Sequence, residues 1–116
     1  MTRNSVVLVP FPFDDFSETK VRPALCLTDE IGNFDHVIIA FISSRIPVLL
    51  TDSDIEVSQN SEDGRLCGFR VDSVIRLHKM VTIPKSLIKR RLGRISKSLE
   101  FVVHERLVNL FCIETK

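Results

Sequence analysis

Val37-Ile38-Ile39-Ala40-Phe41-Ile42 is six apolar residues in a row, with no polar residue to give one side to water. Successive side chains of a strand point to opposite faces, so a strand built from this run must be covered on both. Shorter runs repeat the pattern in Ser5 to Val9 and in Arg22 to Thr28, which contains Ala24-Leu25-Cys26-Leu27. A parallel sheet between helices would supply the cover, but one convincing helix pattern is too few for βαβ crossovers. What is left is a small, strongly bent barrel with a helix or a second subunit packed outside.

The helix pattern is C-terminal. Leu99, Val102, Val103, Leu107, Leu110 and Phe111 recur at helical spacing, and Ser96 or Ser98 can cap it by accepting a bond from a free N–H of the first turn. Val74 to Ile83 and Arg91 to Ile95 read as further strands, and Ile55 to Val57 as a short one. Gln59 to Gly64 reads as a turn cluster, and Pro84 and Gly93 break the pattern. The chain of 116 residues is the length of one domain, here residues 1–116. No apolar run approaches the roughly 20 residues that cross a bilayer, and Met1 to Asn4 do not lead into a signal peptide. Cys26, Cys67 and Cys112 are odd in number and lack CxxC spacing. They are expected to be plain thiols in a reducing cytoplasm, not a disulfide framework or a zinc site.

A formal net charge of +1 hides an asymmetry. Between Ser73 and Leu99 stand Arg76, Lys79, Lys85, Lys89, Arg90, Arg91, Arg94 and Lys97, with no Asp or Glu among them. Such a block favours a polyanionic partner, either nucleic acid or an acidic protein segment. The chain has no Tyr or Trp, so extensive base stacking on aromatics is not expected.

The motifs of metal hydrolysis, nucleotide-triphosphate binding and serine hydrolysis (HExxH, GxxxxGK[ST], GxSxG) are absent. Neither a metal nor a cofactor is expected. The remaining chemistry lies at strand ends. Arg22 precedes Pro23 and opens a buried strand; Ser43 and Ser44 close the longest apolar run. Arg76 and His78 are two apart and project from one strand face. Two guanidiniums, a hydroxyl and an imidazole are sufficient to bind a phosphodiester and move protons around it.

These residues also carry a resemblance. Val6-Val7-Leu8-Val9-Pro10-Phe11-Pro12-Phe13 followed by Lys20-Val21-Arg22-Pro23-Ala24-Leu25 resembles the N-terminal motif of the MazF/PemK toxins of type II toxin–antitoxin systems. Val37 to Ile46 is similar to their third strand and the turn after it, and Asp72 to Ile95 to their C-terminal block. Together these segments make up about half the chain, in the family's order and spacing.

The resemblance implies a mainly β fold with some α: an SH3-like small β-barrel with a C-terminal helix, working as a cytoplasmic homodimer. It implies a metal-independent endoribonuclease that cuts single-stranded RNA, usually mRNA, by attack of the substrate's own 2′-OH. The products would be a 2′,3′-cyclic phosphate and a 5′-OH. The implied partner is an antitoxin whose often acidic C-terminal tail covers the RNA site.

Residue by residue, Arg22 matches the family's R-P arginine, which stabilises the phosphate and assists proton transfer. Ser43 matches a threonine that ends the third strand, and Ser44 a neighbouring polar contact. Arg76 matches an arginine that serves as acid or phosphate clamp. Lys79, Lys89, Arg90 and Arg91 are expected to bind substrate. The sequence departs from the family in three places. Asn4-Ser5 replaces Gly-Asp, with Asn able to supply the left-handed turn. No histidine stands between Phe11 and Val21. His78 falls where some members carry an aspartate base, and an imidazole is the group able to act as a base near neutral pH. The rival expectation is a barrel of the same fold that does no chemistry and binds RNA or a protein target, as the related CcdB toxins do. Those rely on a C-terminal Trp, which this chain lacks.

Overall fold

The computed structural model describes residues 2–11 and 20–114. Its strands are β1 (Ser5–Phe11), β2 (Lys20–Cys26), β3 (His36–Ser43) and β4 (Asp54–Val57), then β5 (Ser73–Pro84) and β6 (Arg90–Arg94). Helix α1 (Glu62–Cys67) lies between β4 and β5, and α2 (Lys97–Leu110) follows β6. The strands form a single curled sheet in the order β4-β5-β3-β2-β1-β6, every neighbouring pair antiparallel. It is a half-barrel with a C-terminal helix, as expected.

The continuous apolar runs are buried on both faces of this sheet. Val6, Leu25, Ala40, Ile42, Ile75 and Leu77 pack with Leu99 and Val103 of α2. Their strand neighbours Val7, Ala24, Val37, Ile39 and Phe41 form a second cluster, on which Ile88 packs from the turn before β6. Cys26 and Cys67 are buried free thiols and Cys112 is exposed. Burial pushes the Cys26 and Cys67 thiols up to about 11 and about 12. Ser96 is the N-cap of α2, its Oγ accepting from Leu99 N at 3.1 Å. Asn4 adopts the left-handed turn at φ 72°, and its Nδ2 donates to Glu100 Oε1 at 2.9 Å, tying the start of β1 to α2.

One element departs from the sequence reading. The cluster Gln59 to Gly64 is a turn only as far as Ser61; there the chain enters α1. Ser61 Oγ accepts from Gly64 N at 3.0 Å, and Gly68 closes the helix in the left-handed region at φ 80°. Six residues are too few to show a helical period, and Gly64 resembles a turn glycine. Its actual role is close approach: a Cβ there would stand 2.0 Å from Ser58 O.

Gly93 has the same role on the other side of α1. A Cβ at this position would meet the Leu66 carbonyl oxygen at 2.1 Å and the Cys67 carbonyl carbon at 2.7 Å, both backbone atoms that cannot rotate away. Gly93→Ala should therefore force α1 off β6 and lower stability by about 1–3 kcal/mol, the usual cost of overpacking. Urea unfolding measures this; a change below about 0.5 kcal/mol would show that α1 does not sit against β6.

Candidate active site

A missing hydrogen-bond donor opens the site. Leu8 on β1 directs its carbonyl to Lys89 N, 2.8 Å away on the β6 side. Its cross-strand partner is Pro23, which must then direct its own backbone edge toward β3. Proline has no N–H to offer there. The β2–β3 ladder accordingly runs only through Ala24–Phe41, Leu25–Ala40 and Cys26–Ile39. Carried two residues further, that register sets Arg22 opposite Ser43, beyond the last pair.

The gap is a cleft of about 370 Å³ whose walls include Lys20, Arg22, Ser43, Arg45, Arg76 and Lys79. Arg22, Ser43, Arg76 and Lys79, all singled out from the sequence, are thus brought together. Ser43 Oγ accepts from Arg45 N at 3.0 Å, a local turn that swings Arg45 into the same wall. Arg76 and Lys79 share the cleft although a regular strand would place them on opposite faces. The β3–β5 register jumps from Ala40–Met80 to Ile42–Ile75, so four β5 residues stand against Phe41 alone and the strand is re-aimed.

A larger cleft of about 630 Å³ adjoins on the other side of Arg22 and Ile42. Ser44, Arg70, Arg90 and Phe69 contribute to its walls. Ser44 and Arg90 therefore belong to this second cleft. Arg91 is exposed and donates from Nε to Gly93 O at 3.3 Å. Lys89 is exposed and is not among the walls of either cleft. The rest of the basic block lies elsewhere: Lys85 pairs with Glu30, and Arg94 and Lys97 with Glu100. Pro12 and Phe13 of the N-terminal motif, and the loop that lacks the family's histidine, lie outside the described residues.

Sequence reasoning missed Lys20 and Arg45 in the wall, and behind it Asp54. Asp54 is the direct cross-strand partner of Arg76, its side chain wholly buried. Oδ1 accepts from Arg76 Nε at 2.9 Å, and Oδ2 from Thr51 N at 2.9 Å and Thr51 Oγ1 at 3.0 Å. His78 is not among the walls of either cleft; its ring is one-third exposed and its Nδ1 lies 4.0 Å from Asp54 Oδ1. The expected common side for Arg76 and His78 is thus the side on which both approach this carboxylate. Burial raises the Asp54 carboxyl, but the Arg76 guanidinium and the two Thr51 donors more than offset that and hold it below the ordinary carboxylate range. Among the described residues no group of three or more His, Cys, Asp or Glu could hold a metal ion.

The model of the PemK-like, MazF-like toxins of type II toxin–antitoxin systems matches residues 2–111. The chain belongs to that family. Its members are known as endoribonucleases. Solved structures agree on the fold. The Mycobacterium tuberculosis toxin MazF-mt6 is 23% identical, with 96% of this chain and 99% of that one covered, at a TM-score of 0.72. A chain of a MazE–MazF crystal structure from Deinococcus radiodurans is 18% identical over 98% and 97%, at 0.71. An endoribonuclease in complex with its cognate antitoxin, from a mycobacterial species, is 10% identical over 100% and 99%, at 0.72. No curated protein matches the sequence.

Within this MazF-like sheet, Asp54 has a folded-state pKa below its unfolded one. Its contribution to stability is therefore complete above the unfolded value near pH 4 and is lost as pH falls through the folded value. Asp54→Asn should cost about 2 kcal/mol at pH 7, the scale of a hydrogen bond to a charged group. The gap to wild type should narrow below about pH 4. Denaturant titrations at several pH values test this; a gap independent of pH would show that Asp54 is not held as a carboxylate.

Proposed function

We propose that this chain is a sequence-specific, metal-independent endoribonuclease toxin that cuts single-stranded RNA to 2′,3′-cyclic phosphate and 5′-OH ends, inhibiting translation and growth. The observation that carries the reading is one cleft that gathers Arg22, Ser43, Arg76 and Lys79. A phosphodiester in that cleft meets the guanidinium of Arg22, which can bind its non-bridging oxygens in bidentate fashion, the donors of Arg76 that Asp54 leaves over, and a hydroxyl. As the 2′-oxygen attacks phosphorus, negative charge grows on those oxygens. Donors already in place stabilise it without reorganising at that moment. Arg22 and Arg76 have this role, with Ser43 as a further hydrogen-bond donor.

The 2′-OH must lose a proton. A guanidinium keeps its own up to about pH 12 and is a poor acceptor; the imidazole of His78, partly exposed beside the Asp54–Arg76 pair, takes it. The P–O5′ bond breaks, the departing 5′-oxygen takes a proton from water, and the hydroxide left behind is neutralised by the proton that His78 took from the 2′-OH. The cyclic phosphate needs no external nucleophile, so no metal-bound water is required. Flanking phosphates follow the cationic surface past Ser44 and Arg90 toward Lys89 and Arg91. In the cytoplasm the same surface suits the acidic tail of a cognate antitoxin, as the toxin–antitoxin neighbours suggest, and the working form is a homodimer.

Incubation with a long mixed-sequence RNA, with the cut ends mapped, tests the reading. Cutting should persist within about twofold in excess EDTA, since among the described residues no cluster of metal ligands is offered. Arg22→Ala should slow the chemical step by about 10²–10³-fold, the scale of losing one such stabiliser. Arg22→Lys should also be impaired, because an ammonium cannot make the bidentate contact. RNA bound but never cut would favour the non-catalytic rival. A folded Arg22→Ala variant cutting at the wild-type rate would remove Arg22 from the chemistry. The triple variant Lys89→Ala, Arg90→Ala, Arg91→Ala should instead weaken binding and flatten its salt dependence, by about 0.7 in log–log slope for each phosphate that is no longer neutralised. An unchanged slope would show that this block does not touch RNA.

A further inference from the structure

Thr51 and Ser53 in the loop before β4, with Asp54 at the start of β4, form a series of polar side chains that ends on the His78 ring. Asp54 Oδ2 lies 3.0 Å from Thr51 Oγ1, Thr51 Oγ1 lies 3.2 Å from Ser53 Oγ, and Ser53 Oγ lies 2.7 Å from His78 Nδ1. Each hydroxyl has one hydrogen to give, so fixing one end fixes them all. Asp54 is ionised and wholly buried, so it can only accept, and Thr51 spends its hydrogen there. Thr51 Oγ1 must then accept from Ser53, which leaves Ser53 Oγ with lone pairs facing the ring. The hydrogen of the last contact has to come from His78 Nδ1.

We infer that Asp54, Thr51 and Ser53 form a one-way hydrogen-bond relay that fixes His78 as the Nδ1–H tautomer, leaving Nε2 as the lone-pair nitrogen. They are positioning residues for His78. The relay rests on the proposed role of His78 only for its use in RNA cutting; the tautomer itself is a property of the protein without RNA. When Nε2 takes a proton, Nδ1 keeps its own, and no hydroxyl in the relay has to turn. The same carboxylate holds Arg76 by its Nε edge, so one buried group orients both the phosphate-binding cation and the base.

The loop is built to hold this order. Asp54 N donates back to Thr51 O at 3.0 Å, Leu77 N of β5 donates to Ser53 O at 2.9 Å, and Arg106 of α2 donates to Asp52 O at 2.8 Å and Asp54 O at 3.1 Å. Ser53 and Asp54 are both buried, so water does not readily replace either; Thr51 between them is exposed and is held by its bonds to Asp54.

The test is the ring nitrogen spectrum of His78 in the full chain, labelled with ¹⁵N-histidine, without RNA, at about pH 8, where a histidine of ordinary acidity is neutral. His78→Asn identifies the signals against those of His36 and His104. The wild type should show a pyrrole-like Nδ1 and a pyridine-like Nε2. Ser53→Ala removes the acceptor, and Thr51→Val frees the Ser53 hydrogen to point at the ring; each should shift His78 toward the Nε2–H form. Ser53→Thr and Thr51→Ser keep the hydroxyls and should restore Nδ1–H. A wild-type ring in the Nε2–H form overturns the relay, as does a tautomer unmoved in a folded Thr51→Val or Ser53→Ala variant. The wild-type spectrum decides even where a variant fails to fold. Failure of the functional reading would appear separately, as an intact relay in a protein that cuts no RNA.

Discussion

A carboxylate with no exposed surface has to be matched by donors, and Asp54 is matched on both oxygens. That requirement organises the whole edge of the sheet. Removing such a charge from water costs several kcal/mol unless its lone pairs are filled. The β4–β5 register that places Arg76 opposite it, and the turn that presents two Thr51 donors, are therefore mutually dependent. Arg106 extends the dependence to α2, because the helix that closes the first core cluster also ties down the turn carrying Thr51 and Ser53.

The cleft itself has a different origin. It exists because the backbone edge of Pro23 faces β3 with nothing to donate, so two strands buried side by side through Cys26–Ile39 and Ala24–Phe41 part at their ends. Apolar packing holds the strands together below the parting, and polar side chains stand above it. Arg22 and Ser43 are thus presented by rigid strand ends whose inner residues are fully packed, a better platform for a fixed geometry than a free loop. The β5 irregularity opposite Phe41 completes the wall by turning Lys79 to the side of Arg76.

Some of this is legible in the sequence. Continuous apolar runs require cover on both faces, and the sheet provides it. Arg22-Pro23 signals its own strand end, and Ser96 its own cap. Asp54 is not legible, because one acid among fifteen acquires meaning only when register brings it across from Arg76, 22 positions away in the chain. Lys79 stands out as a member of the basic block, and strand parity alone would set it on the wrong face; the register jump that corrects this leaves no mark in hydropathy. Helix α1 stays hidden because its signals, Ser61 and Gly68, are also turn signals, and because six residues cannot display a period. The basic block reads in sequence as one surface, yet Lys85, Arg94 and Lys97 answer nearby acids instead.

On net charge alone, the pairing of Arg76 with Asp54 works against anion binding, since the carboxylate cancels charge just where a phosphate would approach. Magnitudes decide otherwise. Two unit charges about 4 Å apart attract by about 4 kcal/mol at an effective dielectric of about 20, and Lys20, Arg22, Arg45 and Lys79 stand in the same wall to supply that attraction. Arg76 contributes orientation instead. A long arginine side chain carries about 2 kcal/mol of rotamer entropy that binding would otherwise have to remove. With its Nε edge already held by a buried carboxylate, most of that ordering is complete before any ligand arrives. On the proposed reading the site separates two tasks that a bare cation would combine: exposed cations would draw the polyanion in, and one neutralised, immobilised guanidinium would fix where the phosphate sits.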